Sequence, residues 1–489
     1  MTIKLSKSRF VAGCQCLKRL YLQAHEPELA AEPEGAADAI IEQGREVGLL
    51  ARKLFPGGIE VCSTGLDQAI RTTRELVANH EVPAIFEGVF EHNGVLVRVD
   101  VLQRRKDGRW RLIEVKSTTD VKDHHLEDVA IQHLVTRSGV DLAASCLAHV
   151  SRDYVYEGGP IDASRFFKIR NLTRQVERLQ AELTVQLRSE FRVLAMPEAP
   201  NIPAGRHCSN PFTCEFFDHC NPPIPDDHIL RLPKIHASTV AMLVSLGVQS
   251  IRDIPENYPL TERLRRACAS VQTGKPWYGP ELRDELGRLK YPLYFADFET
   301  VNPALPRFAG MRPYDQIPFQ WSVHVQRQPG AAPEHFEFLA TDESDPRTAF
   351  ISALCDVLGD RGSIVVYHQQ FESQRLSDLA SWLPEFSGRI TKIQQRLWDL
   401  LPIVRDHVYH PAFGGSYSLK SVLPALVPEM PYAGLEVADG QAAGLAWESL
   451  IGGECSGAER QRKQKALLDY CGQDTLGMVR LLERLERMH

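Results

Sequence analysis

The sequence predicts an α/β protein in which two sheet-containing domains are joined by a helical segment, and three observations carry that prediction. Val95, Val97, Val99 and Val101 alternate between the turn dipeptides Asn93-Gly94 and Asp107-Gly108, the pattern of a half-buried strand inside a meander. Leu172, Val176, Leu179, Leu183 and Leu187 recur at spacings of three and four, which is helical periodicity and predicts a helix over 164–192. Two apolar, aromatic-rich runs, Leu293 to Phe298 and Ser363 to Tyr367, read as buried strands. At 489 residues the chain is long enough for two or three domains. The Pro-rich stretch 222–233 divides it into residues 1–225, a helical linker over 226–290 and residues 291–489.

Residues 82–116 read as three strands, with Asp100 ending the central one on the face opposite the valines. In the next strand Glu114 and Lys116 flank Val115 and share a face. Two carboxylates and a lysine on neighbouring strands suit phosphodiester chemistry: the acids bind a divalent metal, and the lysine stabilises charge on phosphate or positions water. The plainer alternative is a surface ion pair between Glu114 and Lys116. Against it, Ile113 to Ser117 is a mostly apolar strand.

This half resembles the PD-(D/E)XK nucleases of the RecB-like type, including CRISPR-associated RecB-like exonucleases that carry an iron-sulfur cluster. The resemblance implies a RecB-like restriction-endonuclease fold, with Asp100 and Glu114 as metal ligands and Lys116 as a catalytic residue. It further matches Gln132, in the helical run from Asp128, to the catalytic glutamine of the following helix. Glu46, in Gly44-Arg45-Glu46-Val47-Gly48, takes the place of the helical acid that completes the metal shell.

Eleven cysteines, an odd number in a chain of intracellular character, argue against a disulfide framework. Cys208, Cys214 and Cys220 have five residues between neighbours, and Cys14 and Cys16 lie near the N-terminus. The families just named bind a [4Fe-4S] cluster through one N-terminal and three clustered C-terminal cysteines. The resemblance therefore implies a cluster on Cys16, Cys208, Cys214 and Cys220; four thiolates hold Zn²⁺ equally well. Such a clasp would close the ends of a domain of roughly 220 residues. Cys62, Cys146, Cys268, Cys355 and Cys455 read as buried small hydrophobes.

Residues 234–290 read as helical, and Leu243 to Pro255 resembles a helix-hairpin-helix-like element that contacts nucleic-acid backbone. A plain helical spacer is the competing reading. Beyond it, strand alternation puts Asp297 and Glu299 on one face, Phe371-Glu372 follows the second buried strand, and Tyr470 and Asp474 lie one helical turn apart. Two divalent cations about 3.5–4 Å apart clamp the attacking and leaving oxygens of an in-line displacement, and oxygen ligands suit Mg²⁺ or Mn²⁺.

In these motifs residues 291–489 resemble the DnaQ-like, or DEDD, 3′-5′ exonucleases of the tyrosine subtype. The resemblance implies an RNase H-like DnaQ exonuclease fold, with Asp297, Glu299, Glu372 and Asp474 as metal ligands and Tyr470 orienting water. The family has aspartate where this chain has Glu372, which is longer by one methylene. Asp378 and Asp399 are fallback ligands, and Asp399 also reads as a helix start.

A net charge of −7 argues against a generally basic nucleic-acid coat, though not against carboxylate-centred metal sites with local basic tracks. Candidate tracks are Lys7, Arg9, Lys18 and Arg19, and Arg104, Arg105, Lys106 and Arg109. No apolar run approaches the roughly 18–20 residues of a membrane span. Val11-Ala12-Gly13-Cys14 lacks a signal-peptide core before it, so a cytoplasmic protein is expected. The whole reading is a bifunctional metal-dependent nuclease acting on DNA, single-stranded or with frayed ends. An RNA-processing exonuclease and a nucleic-acid-binding scaffold with one degenerate site are the alternatives.

Overall fold

The hairpin expected at Asn93-Gly94 is present: both residues have positive φ, 50° and 77°, and they join two antiparallel strands, Ala84–His92 and Val95–Arg104. The computed structural model that contains it describes every residue except 1–3, 33–35, 63–64, 433, 454 and 489. The chain divides into two units, residues 1–223 with 303–315, and residues 224–302 with 316–489. Each is a mixed α/β arrangement, and among the described residues no helix is long and apolar enough to cross a membrane.

Unit 1 has seven strands: β1 Leu5–Ser6, β2 Ile59–Glu60, β3 Ala84–His92, β4 Val95–Arg104, β5 Trp110–Lys116, β6 Leu142–Val150 and β7 Phe167–Asn171. They run in the order β2-β3-β4-β5-β6-β7, with β1 beside β4. Its helices are α1 Lys7–Gln15, α2 Leu17–His25, α3 Ala36–Arg52, α4 Leu66–Ala78, α5 Asp123–Thr136, α6 Ala163–Phe166, α7 Thr173–Leu194 and α8 Phe217–Cys220.

The valine alternation holds only in part. Val95, Val97 and Val99 pack with Leu112, Val129 and Val176 on one side of the sheet. Val101 packs on the other side with Ile113, Cys146 and Phe166. The phase changes at Asp100, which lies within β4 rather than at its end. The pairing on either side, Phe86↔Val101 and Gly88↔Val99, keeps one register, and the intervening Glu87, opposite Asp100, has φ 57°.

The helix expected over 164–192 is also interrupted. Phe167 and Ile169 pack into the second core as β7, on the edge of β6, and the long helix starts only at Thr173. Residues 303–315 complete unit 1: Ala304 and Met311 are fully buried. Backbone bonds run from Gly310 N to Tyr156 O at 2.8 Å and from Tyr156 N to Met311 O at 2.9 Å.

Unit 2 begins with α9 Ala237–Ser245, α10 Glu262–Thr273, β8 Trp277–Tyr278 and α11 Leu282–Leu286. Leu243, Ile251 and Leu264 from this segment share one core with Phe295, Val365 and Leu482. The main sheet contains β9 Leu293–Val301, β10 Ile317–Gln326, β11 Glu334–Leu339, β12 Ser363–Val366 and β13 Leu397–Asp399. Its order is β11-β10-β9-β12-β13, antiparallel from β11 to β9 and parallel beyond. A short β14, Val408–Tyr409, pairs with β8. The helices are α12 Arg347–Leu358, α13 Gln369–Trp382, α14 Ser387–Gln394, α15 Leu400–His407, α16 Leu419–Leu426, α17 Gly440–Ile451 and α18 Gly457–Glu486.

Candidate metal centres

In unit 1, Val101 pairs with Ile113, so the antiparallel register brings Asp100 beside Glu114. Asp100 Oδ2 accepts from Val115 N at 2.7 Å. Glu114 is almost fully buried, and Lys116 Nζ lies 2.8 Å from its Oε1. Gln132, on the buried face of α5, donates to Glu114 Oε2 at 2.7 Å and to Asp128 Oδ1 at 2.9 Å. These residues are brought together as expected, and Asp100, Glu114 and Lys116 line a cleft of about 710 Å³.

Glu46 is not brought in. It is exposed on α3, where Val47, Leu50 and Ala51 supply the buried face, and it does not line the cleft. Asp128 is the third carboxylate instead, and Lys116 donates to its Oδ2. A second ammonium also enters: Lys7, from the first turn of α1, lies 2.8 Å from Glu114 Oε1 and 3.4 Å from Asp128 Oδ1.

The charges explain the titration of this group. Burial pushes Glu114 up, but Lys7 and Lys116 together bring it well below the usual carboxylate range. Asp100 and Asp128 are raised, first by burial and then by repulsion from Glu114. Burial opposes the charge on both lysines, and the surrounding carboxylates outweigh it, raising both.

Cys16, at the junction of α1 and α2, lines one small pocket with Cys208, Cys214 and Cys220. All four are free thiols, and Lys18 and Arg19 line the same pocket. Arg19 Nε donates to Glu215 Oε2 at 2.9 Å, and Gln15 donates to the carbonyls of His207 and Phe212 at 2.6 and 2.7 Å. These bonds tie the N-terminal helices to the cysteine loop. Of the single cysteines, Cys146, Cys268 and Cys355 are buried as expected, whereas Cys62 is exposed.

In unit 2, Asp297 and Glu299 project from β9, and α18 crosses them with Tyr470, Cys471 and Asp474. Asp297, Glu299 and Cys471 offer ligand atoms that all lie within 4.8 Å of one another. Glu372 enters from the first turn of α13 and is 2% exposed, with Oε2 lacking a hydrogen-bond partner. Burial raises all four carboxylates, with Asp297 adding to the rise of Glu299 and Glu372. On Asp474 the rise is partly offset by the Tyr432 hydroxyl, Lys420 and the Tyr470 hydroxyl. Tyr432 donates to Asp474 Oδ1 at 2.5 Å, and Lys420 Nζ stands 5.3 Å from the centre of the Tyr470 ring.

The fallback ligands have other work. Asp378 pairs with Arg375 at 2.8 Å. Asp399 starts α15 as expected and also accepts from His368 N and Gln369 N at 2.9 and 3.0 Å, which fixes the start of α13. The residues missed by sequence reasoning are Asp128, Lys420 and Tyr432, while Lys7, named only in a basic track, instead pairs with the carboxylates of the site. Asp128 had a signal, since it precedes Gln132 by one helical turn. Lys420 had none, because its partners are remote in the chain. Several supposed basic tracks are committed elsewhere: Arg104 donates to three backbone carbonyls and covers Trp110, and Arg109 pairs with Asp107.

Comparison with known proteins places this geometry beside sequences whose roles are open. A family profile described as a domain of unknown function, DUF2779, matches residues 294–418, a span that holds Asp297, Glu299 and Glu372. Over 160 residues the chain is 26% identical to the uncharacterized protein UU173 of Ureaplasma parvum, the match taking in 30% of this chain and 23% of that protein. It is 28% identical over 160 residues to the uncharacterized protein MG366 homolog of Mycoplasma pneumoniae, with 30% and 24% covered. The chain thus spans about a quarter of the length of these relatives. Among solved structures, the crystal structure of SSO0001 aligns with 41% of this chain and 89% of its own at 14% identity, with a TM-score of 0.18.

Proposed function

We propose that this protein is a metal-dependent nuclease with two phosphodiester-hydrolysing sites, acting on single-stranded or frayed DNA. In this reading unit 1 is RecB-like and unit 2 is a DnaQ-like 3′-5′ exonuclease. One observation carries it: Glu299, Glu372 and Asp474 are buried and Asp297 is half-buried, and these four carboxylates, scattered over nearly 180 residues, interact with too little positive charge around them. Buried carboxylates of this kind are costly unless they are paired or coordinate a metal. The strand order β11-β10-β9-β12-β13, with β9 central and β10 alone running antiparallel to the other four, also supports an RNase H-like unit.

The donor set suits Mg²⁺ or Mn²⁺ on Asp297, Glu299, Glu372 and Asp474, and a divalent ion on Asp100, Glu114 and Asp128. Bound there, the ions supply the charge that stabilises attacking and leaving oxygens in hydrolysis of a phosphodiester. The chain's own groups orient the rest. Tyr470, bonded to Asp474, can hold a water by its hydroxyl, and Lys420 offers an ammonium at the same rim. In the other site Gln132 fixes one oxygen of Glu114, and Lys116, held between Glu114 and Asp128, is the ammonium that would meet charge on phosphate.

In the cysteine pocket the four thiols of Cys16, Cys208, Cys214 and Cys220 would hold a [4Fe-4S] cluster, with zinc as the alternative on the same donors.

Separate Glu114→Ala and Asp297→Ala variants, assayed on end-labelled DNA and RNA with Mg²⁺ or Mn²⁺, test the proposal. Each variant should lose the products of one site. Unchanged degradation in both would sink the dual-nuclease reading, and a marked preference for RNA would move the substrate.

A further inference from the structure

We infer that Cys471 is a metal ligand, and that it makes the ion held by Asp297 and Glu299 one of the zinc class rather than Mg²⁺. The inference rests on the reading of these two carboxylates as metal ligands and adds a donor of different chemistry. Cys471 follows Tyr470 on α18 and is fully buried. Its Sγ lies 3.6 Å from Asp297 Oδ2, within the group it forms with Asp297 and Glu299. Around a tetrahedral ion with metal–sulfur bonds of about 2.3 Å and metal–oxygen bonds of about 2.1 Å, neighbouring sulfur and oxygen ligands stand about 3.6 Å apart.

A thiol packed against a carboxylate for structural reasons alone has a simpler role, as a weak donor. Here Sγ is 3.7 Å from the Asp297 carbonyl, a contact that a serine would make as well or better. A second, independent feature points to a ligand in the same place. Glu372 is 2% exposed, its Oε2 has no hydrogen-bond partner, and its charge is repelled by that of Asp297. Two carboxylates and a thiol thus share one small volume, with the Glu372 carboxylate in electrostatic reach of Asp297, and no basic side chain donates a hydrogen bond to Asp297 or Glu372 there among the described residues.

Soft thiolate donors favour Zn²⁺ and its analogues, while carboxylates alone suit Mg²⁺ and Mn²⁺. Binding breaks the S–H bond, releases the proton to solvent and forms a metal–sulfur bond. Because Cys471 sits among the ligands rather than outside them, it changes which ion is held and not only how tightly.

The test uses the full chain, with Cd²⁺ as a spectroscopic probe of zinc-class binding. Cadmium–thiolate charge-transfer absorption and calorimetric Cd²⁺ and Mg²⁺ titrations are compared for wild type, Cys471→Ser, Cys471→Ala and the double variant Asp297→Asn/Glu299→Gln. The other cysteines contribute equally to each and cancel in the difference. The expected result is a thiolate increment in wild type that all three variants lack, with Cd²⁺ affinity at this site falling roughly tenfold or more in Cys471→Ser while Mg²⁺ affinity changes little. Serine retains the donor to the Asp297 carbonyl, and circular dichroism of both cysteine variants confirms the fold.

Equal thiolate absorption in wild type and Cys471→Ser overturns the inference, as does an increment that survives in the double variant. If the double variant binds Mg²⁺ and Mn²⁺ and degrades DNA as wild type does, it is the nuclease reading of this site that fails.

Discussion

Replacing Lys7 with methionine should destabilise unit 1 without metal and make it more dependent on metal. Lys7 Nζ lies 2.8 Å from Glu114 Oε1 and 3.4 Å from Asp128 Oδ1, and its side chain is 24% exposed. At an effective dielectric constant near 20, the shorter contact alone is worth about 6 kcal/mol of gross Coulomb attraction. Desolvation of the ammonium offsets part of that, and removing one partner of a buried pair typically costs about 3–5 kcal/mol. Asp100, Glu114 and Asp128 would then share a single ammonium, that of Lys116. Methionine keeps the length of the stem, so the loss is one of charge. The assay is denaturant unfolding of the full chain in EDTA and in saturating Mg²⁺ or Mn²⁺, following the transition of unit 1. The variant should lose about 3–5 kcal/mol in EDTA and recover more than wild type gains when metal is added, because the ion takes over the missing charge. Identical stability of the two proteins in EDTA would refute the reasoning, and so would equal stabilisation by metal.

Glu190, buried on α7, is raised by burial from the ordinary 4.5 to about 8, and its Oε2 is unpartnered. The folded chain therefore keeps a proton that the unfolded chain releases from about pH 4.5, and stability falls as pH rises towards 8, by a few kcal/mol in all. Glu190→Gln should flatten that fall and be the more stable protein at pH 9; parallel stability–pH curves would show that Glu190 does not titrate in this way. Met311→Ala should lower the stability of unit 1 by about 2–5 kcal/mol, since a fully buried side chain is cut back in the segment that crosses from the later sequence. An unchanged melting transition for unit 1 would mean that residues 303–315 contribute nothing to its core.

What could be read from the sequence was local. Hairpin turns, strand alternation and an i, i+4 pair depend on near neighbours, and they located Asp297 with Glu299, Glu114 with Lys116, and Tyr470 with Asp474. What could not be read depends on distant partners. Lys7 meets Glu114 across 107 positions and Tyr432 meets Asp474 across 42; the basic cluster around Lys7 marks its charge but not its partner, and Tyr432 belongs to no pattern that would single it out. Glu46 failed for a different reason. Its own helix turns Val47, Leu50 and Ala51 inward, so a motif position was preferred over the helical face that apolar periodicity would have picked. Val101 shows the same limit in a strand, since it packs on the side opposite Val95, Val97 and Val99, and the positive φ of Glu87 opposite Asp100 is not legible in the alternation.

Glu372 is where the motif pattern strains, and the fold gives a reason for the longer side chain to be there. Asp399, at the end of β13, accepts from His368 N, Gln369 N and Leu401 N and so pins the point where β12 turns into α13. His368 takes a left-handed φ of 83° at that turn, and Glu372 is the fourth residue of the helix that follows. From a start fixed in this way, an extra methylene extends the carboxylate along the direction the helix already gives it. A site that had lost its function would be free to replace this residue with an apolar one of similar volume, which is often neutral or stabilising for a buried charge. Instead the carboxylate is buried with an unsatisfied oxygen beside Asp297. In the metal-free chain burial holds this carboxyl towards its protonated form, and a cation would displace that proton and satisfy the free oxygen, so Glu372 fits the proposed metal site.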